Sequence, residues 1–325
     1  MKIIITGATG SLGRALTTHY AGKGNEVLAT GRMKDPPKEL LKYARYIQTD
    51  ITKPFTLEDA DVCIHAAARS GDTGSDADFY PANVEGVKNV LDAAKHIQTF
   101  IHVSSSSIYM PSDLPLKESS TGRPEINSLS PYGRSKLFSE DVIHERFSGN
   151  SCYILRPRAL YGPGDLQILP RMLRIVKGGK LKKAGDMNIR ISLTHYRNFA
   201  EAIDRCMELS AKGIHTYNVS DGKDYVLIDV VRKLTQALYG KQLEEKKTPI
   251  WLIQLLSKFN IGGITPLLVR SLTKNMMLDI SAIRKETGYS PVTDLERSIP
   301  ELASWVNSIG GVEVLKTEDH SLCWK

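Results

Sequence analysis

The hydrophobic residues in the first half of the chain fall into short, nearly continuous runs, each followed by a stretch with the spacing of an amphipathic helix. Such runs are typical of parallel strands buried on both faces, and the intervening stretches are typical of the helices that cover those faces. The alternation predicts an α/β fold with a doubly wound parallel sheet. The predicted strands are Ile3–Ile5, Val27–Thr30, Tyr46–Gln48, Asp61–His65, Phe100–Val103 and Cys152–Leu155, and the predicted helices are 11–23, 82–96 and 132–147.

Glycines punctuate the junction between the first strand and the first helix. Gly7, Gly10 and Gly13 follow Ile3–Ile5 directly and lead into an apolar helix face. In this context the first glycine permits a tight turn, the second lets the backbone approach a pyrophosphate, and the third lets the helix lie close to the strand. The free N–H groups at the start of helix 11–23 would then hold the phosphates of a dinucleotide. The segment therefore predicts a Rossmann-type domain.

The second half of the chain has a mixed pattern, with a turn at Gly162–Gly164 where the chain is expected to leave the sheet. The further predicted helices are 167–177, 199–210, 226–239 and 297–307. We predict a cofactor-binding Rossmann domain made of residues 1–160 and about 190–220. A smaller, mixed substrate-binding region is predicted from 161–189 and about 221–309. Residues 310–325 have no clear periodicity and are predicted to form a loose tail.

Composition excludes several functional classes. With 325 residues, of which 41% are hydrophobic and 24% charged, the chain has the composition of a soluble globular protein. Its net charge of +7 favours anionic ligands. The densest basic cluster has no interleaved aromatic residues, which argues against nucleic-acid binding. That cluster, interpreted as a solvated helix face, comprises Arg171, Arg174, Lys177, Lys180, Lys182 and Lys183.

The cysteines and the N-terminus indicate a cytoplasmic protein. The four cysteines are far apart and form no CxxC pair, so we expect reduced thiols and no metal site. The chain begins with a strand, which predicts that it has no signal peptide. The most apolar later segment, Pro249–Leu256, is shorter than the roughly 20 residues that cross a bilayer. We therefore expect a small-molecule substrate and no transmembrane segment.

The end of the second predicted strand indicates which dinucleotide binds. An acidic residue at this place accepts a hydrogen bond from the ribose 2′-hydroxyl of NAD, whereas an arginine binds the 2′-phosphate of NADP. Gly31 occupies the expected acidic place and Arg32 follows it, while Arg14 and Lys34 could assist. The sequence therefore favours NADP(H) over NAD(H).

The third and fourth predicted strands also end on residues suited to a cofactor. Asp50 and Ile51 are placed to meet the edge and face of the adenine. Ala66 and Ala67 are small enough to leave room for the middle of the dinucleotide.

A serine, a tyrosine and a lysine have the spacing of an acid–base site. Ser105 follows the strand 100–103, and Tyr132 and Lys136 lie one helical turn apart, so their side chains point the same way. A phenol has a pKa near 10, and a nearby ammonium together with oxidised nicotinamide stabilises its anion. Ser105 could hydrogen-bond the substrate oxygen, and Lys136 could reach the nicotinamide ribose. The pattern predicts hydride and proton transfer at an alcohol or ketone carbon.

Seven segments together resemble the extended short-chain dehydrogenase/reductase family over about residues 1–307. They are Thr6–Gly13, Asp50–Ile51, His65–Ala67, Asn83–Gly86, Val103–Ser105, Tyr132 with Lys136, and Arg156–Pro157 with Tyr161–Gly164. The resemblance implies that Ser105, Tyr132 and Lys136 are catalytic, that Asn83 supports their hydrogen bonds, and that a homodimer forms. The expected cofactor-binding residues are Gly7, Thr9, Gly10, Ser11, Leu12, Gly13, Arg32, Asp50, Ile51, Ala66, Ala67, Asn83, Ser104, Tyr132, Lys136 and Pro157.

Departures from the family patterns narrow the expected reaction. Ser106 and Ser107 stand where nucleotide-sugar dehydratases carry an acid, which disfavours dehydration. Ala159 stands where nucleotide-sugar epimerases usually have Asn, and Tyr196–Asn198 replaces a usual Val-x-Asp.

Other segments resemble the branch of 3β-hydroxysteroid dehydrogenases, sterol-4-carboxylate 3-dehydrogenases and bacterial 2-alkyl-3-oxoalkanoate reductase. They are Asp76–Asn83, Ile168–Arg171, Asn188–Asn198, Thr265–Arg270, Leu278–Ser281 and Gly288–Pro291. An apolar cluster would suit the lipid-like substrates of this branch, although core packing would explain it equally well. The cluster comprises Trp251, Leu252, Leu255, Phe259, Leu267 and Leu268.

Three functions are compatible with these observations. The favoured one is an NAD(P)H-dependent oxidoreductase that interconverts a secondary alcohol and a ketone, with a steroid or 3-oxoacyl compound as the lipid-like substrate. The second is a nucleotide-sugar epimerase with tightly bound NAD(P), which Ala159 disfavours. The third is a non-catalytic NADP-sensing protein, which the presence of Ser105, Tyr132 and Lys136 disfavours.

Overall fold

The computed structural model describes residues 1–71, 73–259, 265–317 and 320–324 of the protein. Its strands are β1 (Lys2–Thr6), β2 (Glu26–Gly31), β3 (Arg45–Gln48), β4 (Val62–His65), β5 (Thr99–Val103), β6 (Ser151–Pro157), β7 (Leu160–Tyr161), β8 (Val176–Lys177), β9 (Lys180–Ala184), β10 (Arg190–Ser192), β11 (Thr194–His195), β12 (Gly213–Val219), β13 (Asp224–Val226) and β14 (Glu244–Thr248).

The helices pack around these strands and, in the later part of the chain, around one another. They are α1 (Ser11–Gly22), α2 (Lys38–Leu41), α3 (Asp76–Tyr80), α4 (Gly86–Ala93), α5 (Pro131–Arg146), α6 (Ile168–Leu173), α7 (Tyr196–Leu209), α8 (Leu227–Tyr239), α9 (Ile250–Lys258), α10 (Pro266–Thr273), α11 (Ser281–Thr287), α12 (Leu295–Ser308) and α13 (Val312–Leu315).

Seven of the described strands form one parallel sheet with the spatial order β12-β6-β5-β4-β1-β2-β3. The chain moves outward from β1 in one direction and then, from β4, in the other. This reversal is the topological switch point of doubly wound sheets, where ligands bind beyond the carboxyl ends of the strands. The predicted α/β, Rossmann-type fold is confirmed.

Alternate residues of β1 pack into two separate hydrophobic cores. Ile3 and Ile5 lie in one core with Leu16 of α1, whereas Ile4 lies in the other with Val87 of α4. All three isoleucines are fully buried. The unbroken apolar run therefore results from helices that cover both faces of the sheet.

The helix predicted at 82–96 is interrupted near its start. The chain forms α3, then a π-helical turn at Pro81–Glu85, then α4, which ends at Ala93. Pro81 has no N–H to continue the hydrogen-bond pattern of α3, which accounts for the widened turn.

The helix predicted at 167–177 is also shorter than expected, because α6 ends at Leu173. Gly178 and Gly179 follow with φ of 58° and 69°, a conformation that glycine adopts without strain. They join β8 to β9 in an antiparallel hairpin.

The basic cluster predicted as a solvated helix face is largely part of a small sheet, so that interpretation was wrong. Strands β14, β9 and β8 form a three-stranded sheet. Lys180 and Lys183 of β9 pair with Glu244 and Glu245 of β14 at 2.8 and 2.6 Å. The acidic residues that neutralise these lysines are about 60 residues downstream, which local sequence patterns do not reveal.

The described part of the C-terminal segment is packed rather than loose, which corrects that expectation. Leu315, Leu322, Cys323 and Trp324 are buried in the larger core. The Cys323 thiol donates a hydrogen bond to the Thr9 carbonyl oxygen at 3.4 Å, which places residues 320–324 against the glycine turn. Of the predicted tail, residues 318, 319 and 325 lie outside the described residues. Within the described ranges, no helix has both the length and the apolar character needed to cross a bilayer.

Candidate active site

The three glycines after β1 occupy positions that side chains would disturb in different ways. Gly7 has φ of +71°, and a Cβ there would lie 2.7 Å from the Ala67 Cα atom. A Cβ on Gly13 would lie 2.2 Å from the Gly7 carbonyl oxygen, so α1 approaches the turn too closely for any other residue. A Cβ on Gly10 would meet only that same oxygen, at 3.4 Å. The backbone at Gly10 is therefore open to the approach of a phosphate.

The first turn of α1 presents free backbone donors. Gly10 is the N-cap residue and has no side chain to accept their hydrogen bonds, and the first turn contains no acidic residue. The N–H groups of Ser11, Leu12 and Gly13 precede the first helical hydrogen bond, which Arg14 donates to the Gly10 carbonyl at 2.8 Å. Such a helix N-terminus is suited to a pyrophosphate.

The end of β2 is tightly packed around Gly31, so a side chain there would require its neighbours to shift. A Cβ on Gly31 would lie 3.1 Å from both the Thr9 hydroxyl and the Tyr46 hydroxyl. Arg32 is exposed, and it forms no ion pair with an acidic residue of the described chain. Arg14, which the sequence suggested as a helper, instead donates to the Pro163 carbonyl oxygen in the Gly162–Gly164 turn.

The residues after β3 and β4 are fixed by local hydrogen bonds. The Asp50 carboxylate accepts from the backbone and the hydroxyl of Thr52 at 3.1 and 2.8 Å, which lowers the pKa of Asp50. Ile51 is buried against Gly86. The Thr6 hydroxyl lies 2.8 Å from His65 Nδ1 and accepts from the Ala67 N–H at 3.2 Å. Ala66 and Ala67 are thereby held beside the glycine turn.

Tyr132 is positioned by the start of α5. Pro131 occupies the first helical turn, and the Ser130 hydroxyl caps it by accepting from the Gly133 N–H at 3.0 Å. A Cβ on Gly133 would lie 2.3 Å from the Ser107 carbonyl oxygen, so α5 lies directly against the turn that follows Ser105. Burial raises the pKa of Tyr132, and a hydrogen bond with Ser105 acts in the opposite direction. The structure therefore brings the predicted serine and tyrosine together.

Lys136 lies one helical turn after Tyr132 in α5 and is buried. Its ammonium donates to the Val103 carbonyl oxygen at 2.7 Å, and the residue is 3% exposed. Burial lowers the pKa of Lys136 to about 8, while the charge of Glu140 acts in the opposite direction. The predicted effect of Lys136 on the Tyr132 phenol is not among the causes of the phenol's pKa shift, and it stays a prediction.

Asn83 connects the loop after β4 to α5. Its side-chain oxygen accepts from the Arg69 N–H at 2.7 Å, and its amide donates to the Arg69 carbonyl and to the Ser135 hydroxyl, both at 2.9 Å. The Ser135 hydroxyl in turn donates to the Tyr132 carbonyl oxygen at 2.8 Å. Asn83 thus supports the backbone that carries the tyrosine.

Glu140 is a functional residue that no sequence pattern predicted, and its carboxylate lies at the centre of a buried polar network. It accepts from the Ser104 hydroxyl at 2.5 Å and from two nitrogens of Arg156 at 2.9 and 2.6 Å. The hydroxyl of Ser104, predicted to contact the cofactor, is engaged here, and Pro157 follows at the buried end of β6. Glu140 lies one helical turn after Lys136, a spacing that could have indicated it.

A cavity with about 740 Å³ of space free of protein atoms, part of it open to solvent, borders Tyr132. Its described lining residues are Gly71, Ser107, Tyr109, Pro111, Ser128, Leu129, Ser130, Tyr132, Arg158, Arg171, Leu268, Arg270, Ser271, Lys274 and Met276. Leu268 belongs to the apolar cluster that the sequence suggests for a lipid-like substrate. Within the same predicted cluster, Trp251, Leu255 and Phe259 are instead 67%, 48% and 70% exposed, and the Leu267 side chain lies outside the described residues.

Two positions that depart from the family patterns have a distinct backbone conformation or hydrogen-bond role. Ala159 has φ of 47°, a left-handed conformation that asparagine adopts more readily than alanine. Asn198 replaces an expected acidic residue and connects α7 to two neighbouring segments. Its amide donates to Asp221 at 2.6 Å, and its side-chain oxygen accepts from the Thr293 N–H at 3.0 Å.

A glycine turn at the switch point and a half-buried tyrosine beside a cavity define a dinucleotide-binding enzyme of the α/β class. The profile of the NAD dependent epimerase/dehydratase family matches residues 3–220. The chain belongs to this family, and the resemblance to extended short-chain dehydrogenases/reductases is confirmed. Its cofactor is therefore a nicotinamide dinucleotide, NAD(P).

Comparisons with individual proteins extend over nearly the whole chain. The chain is 26% identical to 2-alkyl-3-oxoalkanoate reductase of Stenotrophomonas maltophilia, covering 93% of this chain and 98% of the relative. It is 26% identical to the decarboxylating sterol-4-α-carboxylate 3-dehydrogenase of Candida albicans, covering 94% and 97%. UDP-glucose 4-epimerase of Vibrio cholerae is also 26% identical, covering 93% and 94%.

The fold resembles that of UDP-glucuronic acid 4-epimerase from Bacillus cereus in complex with NAD. The TM-score is 0.72 at 21% identity, covering 95% of this chain and 99% of that one. At this identity the comparison supports the fold.

Proposed function

We propose that this protein is an NADP(H)-dependent oxidoreductase that interconverts a secondary alcohol and a ketone. The observation that carries the proposal is the placement of Tyr132 in the cavity wall, next to Ser105 and one helical turn before the buried Lys136 of the same helix. Nicotinamide supplies or accepts the hydride when it is bound.

The protein's own residues handle the proton. Because burial raises the pKa of Tyr132, the phenol is protonated at neutral pH and can donate to the oxygen of a ketone substrate. Ser105 orients that oxygen through its hydroxyl. The ammonium of Lys136 favours the phenolate that remains after proton transfer. In alcohol oxidation the same groups act in reverse.

Two of the three relatives described above support this reaction by name, since a reductase and a dehydrogenase act at such carbons. The third is an epimerase of the same identity, so epimerisation of a nucleotide sugar is the second candidate. Ala159 favours the oxidoreductase, because it offers no side-chain amide to a sugar diphosphate. A lipid-like 3-oxo compound, such as a 3-oxoacyl or 3-ketosteroid substrate, is accordingly the first to be tested.

The test compares net redox turnover with epimerisation. The purified protein is incubated with NADPH and a panel of 3-oxo acids and 3-ketosteroids, and separately with UDP-glucose. We expect consumption of one NADPH for each ketone reduced and no inversion of the sugar. Inversion of UDP-glucose without net NADPH consumption would establish the epimerase instead, and bound NADP without turnover in either assay would indicate a sensor.

Tyr132→Phe tests the role of the phenol. Loss of a general acid costs about 10²- to 10⁴-fold in rate. We expect a loss of this size in kcat, with the Kd for NADP within about threefold of the parent protein, because the phenyl ring remains. Tyr80→Phe, at a tyrosine that is 41% exposed on α3, is the matched control and keeps full activity.

Arg32→Ala tests the preference for NADP. A hydrogen bond to a charged group contributes about 1.5–3 kcal/mol, which corresponds to about a tenfold to hundredfold change. We expect the KM for NADPH to rise by this factor and the KM for NADH to stay unchanged. Lys38→Ala, at an exposed lysine of α2, is the control. Equal changes for both cofactors would contradict the preference.

A further inference from the structure

The described lining of the cavity beside Tyr132 carries basic side chains. Arg158, Arg171, Arg270 and Lys274 are among its lining residues, whereas the described lining contains no aspartate or glutamate. The remaining polar side chains are mainly serine hydroxyls, which donate hydrogen bonds readily. Such a surface suits a negatively charged ligand.

Arg158 is a half-buried cation that lines this cavity. Its backbone is fixed, because its N–H donates to the Thr194 hydroxyl at 3.0 Å and its carbonyl accepts from the same hydroxyl at 2.8 Å. The side-chain Nε atom is buried and has no hydrogen-bond partner. Burial, followed by the charge of Arg171, lowers the pKa of Arg158 to about 10, so the guanidinium remains charged at neutral pH.

Arg156 is a nearby arginine whose guanidinium has a structural role, and it provides a comparison for Arg158. Arg156, two residues earlier, is paired with Glu140 and also donates to the Tyr109 hydroxyl and the Glu118 carbonyl oxygen. No acidic side chain of the described chain pairs with Arg158. A guanidinium with a buried, unpartnered nitrogen and no carboxylate is unfavourable in free energy, and an anionic ligand would relieve that cost.

Two further cations, from α10 and the residue after it, also line the cavity. Arg270 of α10 donates to the Ser128 carbonyl oxygen at 3.1 Å and to the Met110 sulfur at 2.8 Å, so its charge is not neutralised by these contacts. Lys274 follows α10, is exposed, and forms no ion pair within the described residues. An anion bound to Arg158 would therefore also be attracted by these two residues.

We propose that the substrate carries an anionic group, a carboxylate or a phosphate, which binds to Arg158 within reach of Arg270 and Lys274 while its carbonyl carbon faces Tyr132. This inference rests on the proposed function for the role of Tyr132. The names of the relatives already include carboxylates and a nucleotide sugar, so the new element is the assignment of Arg158 as the residue that selects the anion. A planar guanidinium suits both groups, because it can bind two oxygens of either.

Matched substrates test the selection in turnover. The parent protein, saturated with NADPH, is assayed with 3-oxooctanoate, with the methyl ester of this acid, and with a 3-oxoalkyl phosphate of similar length. We expect kcat/KM for at least one anionic substrate to exceed that for the ester by about tenfold to hundredfold. The preferred anion distinguishes a carboxylate from a phosphate substrate.

Variants test whether Arg158 is responsible. Arg158→Met is expected to remove the preference for the anion, and Arg158→Lys to restore part of it, because a single ammonium replaces the bidentate guanidinium. If Arg158→Met does not fold, the reduced preference of Arg158→Lys for the anionic substrate tests the role of Arg158. Arg205→Met, at an exposed arginine of α7 outside the cavity lining, is the control and keeps the full preference.

A binding measurement separates this inference from the proposed function. Octanoate and inorganic phosphate are titrated calorimetrically into the protein saturated with NADP, so that the cofactor site does not contribute. Binding of either anion that weakens at least tenfold in Arg158→Met supports the anion site, even if no carbonyl compound is reduced. Reduction of the neutral ester at the rate of the acid, together with anion binding that is unchanged in Arg158→Met, would overturn the inference and leave the oxidoreductase proposal standing.

Discussion

Glu140 and Arg156 form a buried, bidentate ion pair behind the candidate active site. Two carboxylate oxygens accept from two guanidinium nitrogens at 2.9 and 2.6 Å, and the side chains are 4% and 6% exposed. The pair joins α5, which carries Tyr132 and Lys136, to β6. Because both charges are removed from water, each depends on the other for stabilisation.

The first prediction concerns the loss of one partner of this pair. Glu140→Gln leaves the guanidinium of Arg156 buried without a counter-charge, and we expect the free energy of unfolding to fall by about 3–5 kcal/mol. Urea denaturation followed by circular dichroism measures the change.

The adjacent residue supplies the control. Asp141 pairs with Arg123 at the surface, where both side chains are about one-third or more exposed. Asp141→Asn is expected to cost about 1 kcal/mol or less. Equal losses for the two variants would show that Glu140 has no special structural role.

The second prediction concerns pH dependence. Burial lowers the pKa of Lys136 to about 8, so its ammonium is present below this pH and is lost as the pH rises through it. If the charge is needed to stabilise the phenolate of Tyr132, kcat/KM for ketone reduction falls above a pH of about 8. A profile from pH 6 to 10 measures this limb.

Lys136→Arg distinguishes Lys136 from other titrating groups, because a guanidinium keeps its charge throughout this range. We expect a less active protein whose profile has no limb near pH 8. Persistence of the same limb in this variant would assign it to another group.

The third prediction concerns backbone strain at Ala159. Its φ of 47° costs an L-residue free energy that glycine does not lose. Ala159→Gly is therefore expected to raise the free energy of unfolding by about 0.5–1 kcal/mol. Ala202→Gly, inside α7, is the control and is expected to lower it by about 1 kcal/mol. Urea denaturation measures the free energy of unfolding of both variants. If Ala159→Gly lowers it as Ala202→Gly does, the strain at Ala159 is small.

The fourth prediction concerns the C-terminal segment. Trp324 is 6% exposed and belongs to the larger core, so Trp324→Ala is expected to lower the free energy of unfolding by about 3–5 kcal/mol. Trp251 is 67% exposed, and Trp251→Ala is expected to change it by less than about 0.5 kcal/mol. Urea denaturation measures both variants. Equal denaturation midpoints for Trp324→Ala and Trp251→Ala would indicate that residues 320–324 do not contribute to the core.

The features that the sequence predicts best are those set by neighbouring residues. The glycine turn is recognisable because Gly7, Gly10 and Gly13 lie in one short segment between a strand and a helix. The spacing of Tyr132 and Lys136 likewise depends only on helix geometry. Most strands of the central sheet were predicted to within one or two residues because their burial on both faces produces continuous apolar runs.

The features that sequence reasoning missed depend on residues far apart in the chain. Glu140 acquires its role from Arg156 and Ser104, and the cavity gathers Arg158 with Arg270 from segments about 110 residues apart. The packing of the C-terminal segment could not be predicted from its own residues, because Cys323 contacts Thr9 at the other end of the chain. Local patterns do not record such contacts.

The strand at one edge of the central sheet, β12, comes from residues 213–219, well after the other six. A fragment ending near residue 160 would leave the N–H and carbonyl groups of β6 unpaired along that edge, and exposed edges of this kind promote aggregation. The nucleotide-binding part therefore cannot be transferred to a chimeric protein as a single continuous segment that ends near residue 160. A successful graft has to carry β12 along, which requires at least two crossover points.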